Sequence, residues 1–275
     1  MSDDKTDGIQ KQIDGIDAEM YNLLMQRTEL VKQLADGNAV ENSLGKEAAV
    51  IKKLLRSHKG DFPEYVVAKI WREILTASAF LNDKLKISLY GQEHDNSLAN
   101  IVQDHFGSYV DYETYSSFGQ VMNALTSHDV QLAVIPCDNC EINQKPWWSA
   151  LSAAPNGERL QIIAKLPFIR RKEAKDSEEV YVISMSETDK SGSDISLLSV
   201  EVASDVSSST VVDIFENAGF KGVKVICMAA SADENKSCLL EVNGYLKNDD
   251  ERLGRLDEAV KSLSIVGAYA QPVSL

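Results

Sequence analysis

The spacing of apolar residues divides this chain into a helical N-terminal part and a longer part in which strands alternate with helices. From Ile9 to Leu34 apolar residues recur at intervals of three and four, which predicts one long amphipathic helix. The same spacing predicts a second helix over residues 44–57 and a third over residues 64–82. We therefore expect an all-α helical bundle at residues 1–83.

The length of the first helix bears on assembly. At 1.5 Å per residue, about 28 residues span roughly 40 Å, which is more than a domain of about 80 residues covers by itself. The apolar stripe of this helix then needs a second subunit. An intertwined homodimer through the N-terminal helices meets that need.

From Lys84 onward the pattern changes to short apolar runs separated by helical segments. A βαβαβ alternation up to Pro136, with a further strand near residues 162–168, predicts a small α/β lobe at residues 84–175. The charged stretch over residues 170–176 is typical of a linker. Residues 176–275 then follow the order βαββαβ of a ferredoxin-like α+β domain, with its second helix expected at residues 251–262.

The net charge of −14 argues against nucleic acid, whose phosphates need a basic surface. No run approaches the roughly 20 apolar residues that cross a bilayer, so we expect no membrane partner. The polar, acidic segment from Met1 to Lys5 lacks the apolar stretch of a secretory signal. A cytoplasmic protein is therefore expected.

Four cysteines bear on metal binding and on redox compartment. Cys137 and Cys140 form a CxxC pair, but no second pair follows at zinc-ribbon spacing. Cys227 and Cys238 lie in apolar, strand-like segments. We expect four reduced thiols and no metal site.

Three segments of the helical part carry a resemblance to a known family. They are Leu23 to Leu30 on the first helix, Lys46 to Ile51 on the second, and Ile70 to Ser78 on the third. In this order and at this spacing they resemble the all-helical chorismate mutases, over about residues 9–82.

The resemblance implies conversion of chorismate to prephenate, a pericyclic rearrangement that needs no nucleophile, metal or cofactor. Such a site holds the dicarboxylate in its reactive conformer. It also places donors against the ether oxygen, where negative charge grows, and arginine forks against the carboxylates. The resemblance assigns catalytic roles to Arg27, Lys46 and Glu47, and substrate-binding roles to Gln10, Asn38, Ser78 and Asn82.

Three of these residues match the family directly. Arg27 matches an arginine that binds a carboxylate, Glu47 an acid that binds a substrate hydroxyl, and Ser78 a small hydroxyl on the third helix. Each also has an ordinary alternative. Arg27 is then a surface arginine paired with an acid, Glu47 a first-turn glutamate, and Ser78 a helix residue without a function.

The other four positions depart from the family pattern. Gln10 stands where the family has an arginine that reaches into the neighbouring subunit, and Asn38 where it has a lysine aimed at the ether oxygen. Lys46 replaces an arginine, and Asn82 a glutamine. Losing a charge-assisted hydrogen bond costs about 1.5–3 kcal/mol. Two such losses correspond to a turnover reduced by roughly 10²–10⁴, so we expect a weak mutase.

The rest of the chain resembles a shortened prephenate dehydratase, to which this mutase is fused in some organisms. Residues 89–97 and 118–139 carry the likeness, but the second catalytic lobe and its Thr-Arg-Phe motif have no counterpart. Dehydratase activity is therefore not expected. Residues 197–275 resemble an ACT regulatory domain without its phenylalanine-sensing motifs. Alphaproteobacterial chorismate mutase-like proteins have a similar layout.

The sequence thus predicts a homodimeric chorismate mutase of aromatic amino-acid biosynthesis. The alternative is a catalytically degenerate binding or regulatory protein of the same descent, which senses a metabolite or docks on another enzyme of the pathway.

Overall fold

The computed structural model describes residues 2–36, 44–81, 84–92, 96–142, 145–152, 159–170, 178–231 and 235–275. Its α-helices are α1 (Ser2–Asp36), α2 (Leu44–Ser57), α3 (Glu64–Ala79), α4 (Ser97–Phe106), α5 (Phe118–Thr126) and α6 (Ser208–Asn217). The strands up to the middle of the chain are β1 (Leu85–Tyr90), β2 (Val110–Tyr115), β3 (Leu132–Pro136), β4 (Glu141–Ile142), β5 (Lys145–Pro146), β6 (Gln161–Leu166) and β7 (Ile169–Arg170). The later strands are β8 (Val180–Ser184), β9 (Asp194–Ala203), β10 (Lys224–Ala230), β11 (Asn235–Asn243), β12 (Val260–Ala270) and β13 (Val273–Ser274).

The three N-terminal helices form where the apolar spacing predicts them, and α1 begins earlier than expected, at Ser2. A helix of 35 residues is about 52 Å long. Most of its apolar side chains are exposed, among them Ile16, Met20 and Leu30. Within one chain, therefore, α1 presents an apolar face to solvent.

Helices α2 and α3 pack differently from α1, because they cover one face of the α/β sheet. Their buried residues Ala48, Ile51 and Leu75 share one apolar core with β1, β3, β6, β8 and helix α4. Helix α5 and a 3-10 helix, Trp147–Ser152, cover the opposite face. The helical part and the α/β part are thus joined through a common core.

One sheet of nine strands runs through the rest of the chain, in the order β10-β11-β9-β12-β6-β8-β3-β1-β2. Strands β2, β1 and β3 are parallel, as the βαβαβ pattern predicts. Strand β8 follows the expected linker and lies antiparallel between β3 and β6. Residues 171–177 of that linker lie outside the described residues. The division of the chain at residues 83/84 and 175/176 stays a prediction.

Strands β6 and β12 join the two halves of the sheet, and Gly267 makes their contact possible. A Cβ atom at Gly267 would lie 2.2 Å from the carbonyl oxygen of Ile162, its partner across the strands. Only glycine permits this approach, because real Cβ atoms do not come so close to backbone atoms. A second tie between the two halves lies on the sheet face that α5 covers. There the indole of Trp148 donates a buried hydrogen bond of 2.9 Å to Ser237 Oγ of β11.

The C-terminal half keeps the strands of the ferredoxin-like order but not its second helix. Strand β11 lies between β9 and β10, which is the split βαβ arrangement, and α6 packs on this half. The helix predicted at residues 251–262 is wrong: this stretch contains a 3-10 helix, Leu253–Arg255, and the first residues of β12. Val260 and Ser262 pair with β9, so strand pairing outweighs the local helical pattern.

The expectation of four reduced thiols is wrong for two of the cysteines. Cys140 and Cys227 form a disulfide that spans 87 residues of sequence, whereas Cys137 and Cys238 are free and buried. The bond ties the loop after β3 to β10, an edge strand of the sheet. The CxxC spacing concealed this pairing because the partner of Cys140 is distant in sequence.

None of the helices within the described ranges is both long and apolar enough to cross a membrane.

Candidate active site

Arg27 and Ser78, which were predicted from different helices, are in direct contact. Arg27 Nη1 donates a hydrogen bond of 2.6 Å to Ser78 Oγ, which joins α1 to α3. Ser78 Oγ in turn donates its proton to the backbone oxygen of Ile74, at 2.5 Å. The hydroxyl is buried and the arginine half-buried. This chain of two bonds fixes the guanidinium of Arg27 in one orientation.

Glu47 lies in the first turn of α2, and its carboxylate pairs with Arg72 of α3. Arg72 Nη1 is 3.2 Å from Glu47 Oε2, and these side chains are 4% and 12% exposed. Burial raises the pKa of Glu47, and the positive charges of Arg72 and then Arg27 oppose that rise. Because the charge of Arg27 acts on this carboxyl, Arg27, Glu47 and Ser78 belong to one region of the helical part.

Arg72 is the site residue that the sequence interpretation missed. It is 3% exposed, and its guanidinium stacks 4.8 Å from the ring centroid of Phe168. Burial lowers its pKa to about 10, although Glu47 works in the other direction. No described residue accepts a hydrogen bond from its Nε. A charged residue on the inward face of α3, between Ala68 and Leu75, was the available signal.

The neighbourhood of Arg72 also contains a buried histidine. Burial, with the nearby charges of Arg72 and Lys69, holds the pKa of His105 well below its usual range. Its ring lies edge-on to Phe106 and Phe168. His105 is therefore neutral and packs as part of the core between α4 and the mutase-like helices.

Two other predicted residues lie elsewhere. The Gln10 amide donates a hydrogen bond of 2.9 Å to Asp14 on the same exposed helix, and at 1.5 Å per residue it is about 25 Å along α1 from Arg27. The Lys46 ammonium is 60% exposed and lies 3.6 Å from Asp189, in the segment before β9. Asn38 and Asn82 lie outside the described residues.

A small cavity adjoins Glu47. It measures about 120 Å³ and is lined by Glu47, Thr76 and Phe80 together with residues of the sheet. Ligand sites are commonly about 300–1,000 Å³. The cavity that the described residues form beside Glu47 is therefore smaller than a usual ligand site.

A much larger cavity, of about 890 Å³, opens at the carboxyl ends of β1 and β3. Crossovers leave this pair in opposite directions along the sheet, the position where open α/β sheets commonly bind ligands. Its walls include Gly91, Ser97 at the start of α4, and Val225 of β10. Sequence reasoning did not identify this cavity, because β10 is distant from the other walls in sequence.

A buried polar network borders this cavity. Lys165, which is 5% exposed, lies 3.0 Å from both Glu179 and Glu241. Tyr181 and Tyr269 also donate to Glu241, at 2.8 and 2.7 Å. Burial works to raise the pKa of Glu241, but Lys165 and both tyrosines lower it overall, so the carboxylate is charged. Within the described ranges, no group of three or more His, Cys, Asp or Glu side chains is placed to hold a metal.

Comparison with known proteins bears first on the helical part. Residues 9–81 match the family model of chorismate mutase type II. This N-terminal segment is therefore similar to that family. The match includes Arg27, Glu47 and Ser78, and it confirms the resemblance that was inferred from three motifs.

The relation extends beyond the mutase segment. A bifunctional chorismate mutase/prephenate dehydratase of Aquifex aeolicus is 27% identical over 143 residues, which cover 48% of this chain and 38% of that protein. The chain thus matches less than half of its relative's length. Among solved structures, a quorum-quenching acylase named GqqA has a TM-score of 0.49 and 15% identity, over 67% of this chain and 94% of that one. A prephenate dehydratase of Arthrobacter aurescens has a TM-score of 0.46 and 11% identity. The match covers 69% of this chain and 92% of that one.

Proposed function

We propose that this protein is a chorismate mutase, which rearranges chorismate to prephenate in aromatic amino-acid biosynthesis. The observation that carries the proposal is the 2.6 Å contact between Arg27 and Ser78, made inside a segment of the mutase family and within electrostatic reach of Glu47. In this proposal the Arg27 fork binds a substrate carboxylate, and the Glu47 carboxylate accepts a hydrogen bond from the substrate hydroxyl.

The rearrangement breaks one C–O bond and forms one C–C bond within a single molecule. The protein therefore contributes by holding the compact conformer and by stabilising the charge that develops on the ether oxygen. Arg27 is suited to the first task because Ser78 fixes its orientation. The second task needs a cation or amide donor, and the position that the resemblance assigns to it carries Asn38 in place of a lysine.

We also propose that the active form is a homodimer through α1. The exposed apolar residues of α1 support this, because exposed apolar residues that recur along one helix favour association with a partner. A partner helix would bring its own Gln10 toward the region of Arg27 and complete the walls of the site. The C-terminal half serves in this proposal as an ACT-like regulatory part, and the protein works in the cytoplasm.

A second candidate function is metabolite binding without turnover. The 890 Å³ cavity favours it, because this volume suits a small ligand and the charged network around Lys165 borders it. In this case the mutase segment is a degenerate remnant, and the α/β part performs the function.

One assay separates the two candidates. Purified protein is mixed with chorismate, and the loss of chorismate and the appearance of prephenate are followed. We expect Arg27→Ala to reduce kcat/KM by about 10²–10⁴, since a lost bidentate contact removes two bonds of about 1.5–3 kcal/mol each. Arg255→Ala is the matched control, because that side chain is 62% exposed and lies in the C-terminal half.

The outcomes differ clearly. Turnover that Arg27→Ala abolishes and Arg255→Ala leaves unchanged supports the mutase. Equal activity in both variants contradicts the role of Arg27. Binding of phenylalanine or prephenate by a wild-type protein that shows no turnover supports the second candidate.

The raised pKa of Glu47 predicts the acid limb of the pH profile. Burial disfavours the charged carboxylate, so Glu47 takes up its proton at a pH above its ordinary value of 4.5. We expect kcat/KM to fall as pH decreases through that raised pKa, because the protonated acid is a poor acceptor for the hydrogen bond from the substrate hydroxyl. Glu47→Gln, which cannot ionise, should show lower activity without this limb. An unchanged limb in Glu47→Gln would assign the titration to another group.

A further inference from the structure

A cluster of cations on α2 contrasts with the rest of this acidic protein. Lys52, Lys53 and Arg56 lie within one turn of the helix, in a chain whose net charge is −14. Across the described part of the chain, no salt bridge joins any of the three to an acid. Ion pairs with the described residues therefore do not relieve their mutual repulsion.

Lys52 makes this cluster unlike an ordinary solvated helix face. It is 8% exposed, and its Nζ donates to the backbone oxygen of Ser193 at 2.9 Å and to Ser191 Oγ at 3.5 Å. Asp194 is close, but its carboxylate accepts from the backbone N–H and hydroxyl of Ser191, at 2.9 and 2.5 Å. Neutral oxygens thus hold the buried ammonium in place, and its charge is only partly offset.

The electrostatics of Lys52 agree with this geometry. Burial lowers its pKa, Asp194 opposes that effect, and the nearby positive charge of Arg56 adds to it. An anion placed between Lys52 and Arg56 would relieve both the burial cost and the repulsion.

Two depressions flank the pair formed by Lys52 and Arg56, and together they form what we call the basic cleft. One measures about 330 Å³ and is lined also by Lys53, Ser57 and Gly192. The other measures about 380 Å³, extends toward Gln271 and has the acid Glu64 on its wall, so the first depression is the more favourable of the two for an anion. Gly192 leaves its side of the cleft open, since nothing lies within 4 Å of the position that a Cβ atom would take.

We propose that the basic cleft binds a small molecule with at least two negative charges, of the phosphate or polycarboxylate class. Arg56 offers a planar fork for oxyanions, and the lysines offer point charges on either side of it. Ser57 and Ser191 also line the cleft, but their hydroxyls already donate to Leu54 and Asp194, so the three cations carry the recognition. The cleft is separate from the residues assigned to the mutase site, so the proposal does not depend on that function.

Calorimetric titration of the full chain at low ionic strength tests this proposal, with pyrophosphate and citrate as probes. We expect saturable binding of at least one probe, at one molecule per chain, that weakens as salt screens the charges. The double variant Lys53→Gln/Arg56→Gln should bind at least tenfold more weakly. Both side chains are exposed, so their replacement leaves the fold intact.

The matched control is Lys221→Gln/Arg255→Gln, which removes the same two charges from exposed positions in the C-terminal half. Binding retained in this control and lost in the cleft variant supports the proposal. A preference for pyrophosphate identifies a phosphate ligand, and a preference for citrate a polycarboxylate. Failure of both probes to bind, or equal weakening in both variants, overturns it.

Discussion

Restoring two cations, through Gln10→Arg together with Asn38→Lys, is expected to raise kcat/KM for chorismate by about 10²–10⁴. Both positions carry a neutral amide where the resemblance to the chorismate mutases implies a positive charge. Each charge-assisted hydrogen bond to a dianion in a dry site contributes about 1.5–3 kcal/mol, and 1.4 kcal/mol corresponds to a factor of ten. Steady-state measurement of chorismate consumption by the purified double variant checks this expectation.

The control adds the same two charges at other positions, both of them on α1. Gln12→Arg with Gln33→Lys uses two exposed glutamines of α1, and it should leave kcat/KM near the wild-type value. The gain should also vanish when Arg27→Ala is added, because the new cations then act on a substrate that is poorly bound. A double variant no faster than the wild type would mean that Gln10 and Asn38 do not limit the reaction. A wild type with an ordinary enzymatic rate would contradict the idea of a weakened site.

Reduction of the disulfide between Cys140 and Cys227 is expected to lower the free energy of unfolding by about 4–5 kcal/mol. The bond closes a loop whose ends are 87 residues apart, and a long loop loses much chain entropy in the unfolded state when it is closed. It also holds the loop after β3 against β10, so its loss removes a tie between two walls of the 890 Å³ cavity.

Denaturant unfolding with and without reductant measures this effect. Oxidised wild type should lose stability when reductant is added, whereas Cys140→Ser should be less stable from the start and insensitive to reductant. Cys238→Ala is the control: it removes a free, buried thiol of β11 and should keep the full response to reductant. A wild type whose unfolding midpoint does not change on reduction would contradict the expected stabilisation.

Much of the fold could be predicted because helix and parallel-strand patterns are local. The bounds of α2 agree with the predicted helix, and β1, β2 and β3 form where apolar runs predict strands. Arg27 could be singled out because the resemblance assigns it a role and because it falls on an apolar stripe, and its contact with Ser78 agrees with the roles inferred for both. Those roles remain proposals.

Other features depended on pairings between distant segments. The prediction of a helix at residues 251–262 was wrong because Val260 and Ser262 pair with the backbone of β9. A local sequence pattern contains no information on that pairing. Arg72 was overlooked because its significance lies in Glu47 and Phe168, which come from two other elements. The same holds for Lys165 of β6, whose partners come from the segment before β8, Glu179, and from β11, Glu241.

The sequence by itself determined the mutase-like helices, the amphipathic character of α1 and the replacement of two expected cations by Gln10 and Asn38. These features depend on residue type and on spacing over a few helical turns, and neither requires contacts between distant segments. Only the tertiary structure decided that α2 and α3 share a core with the sheet, that nine strands form one sheet and that Cys140 meets Cys227. Those outcomes depend on packing and strand pairing between segments that are distant in sequence. The free energy of such contacts comes from the burial of apolar surface and from backbone pairing, which local spacing does not reveal.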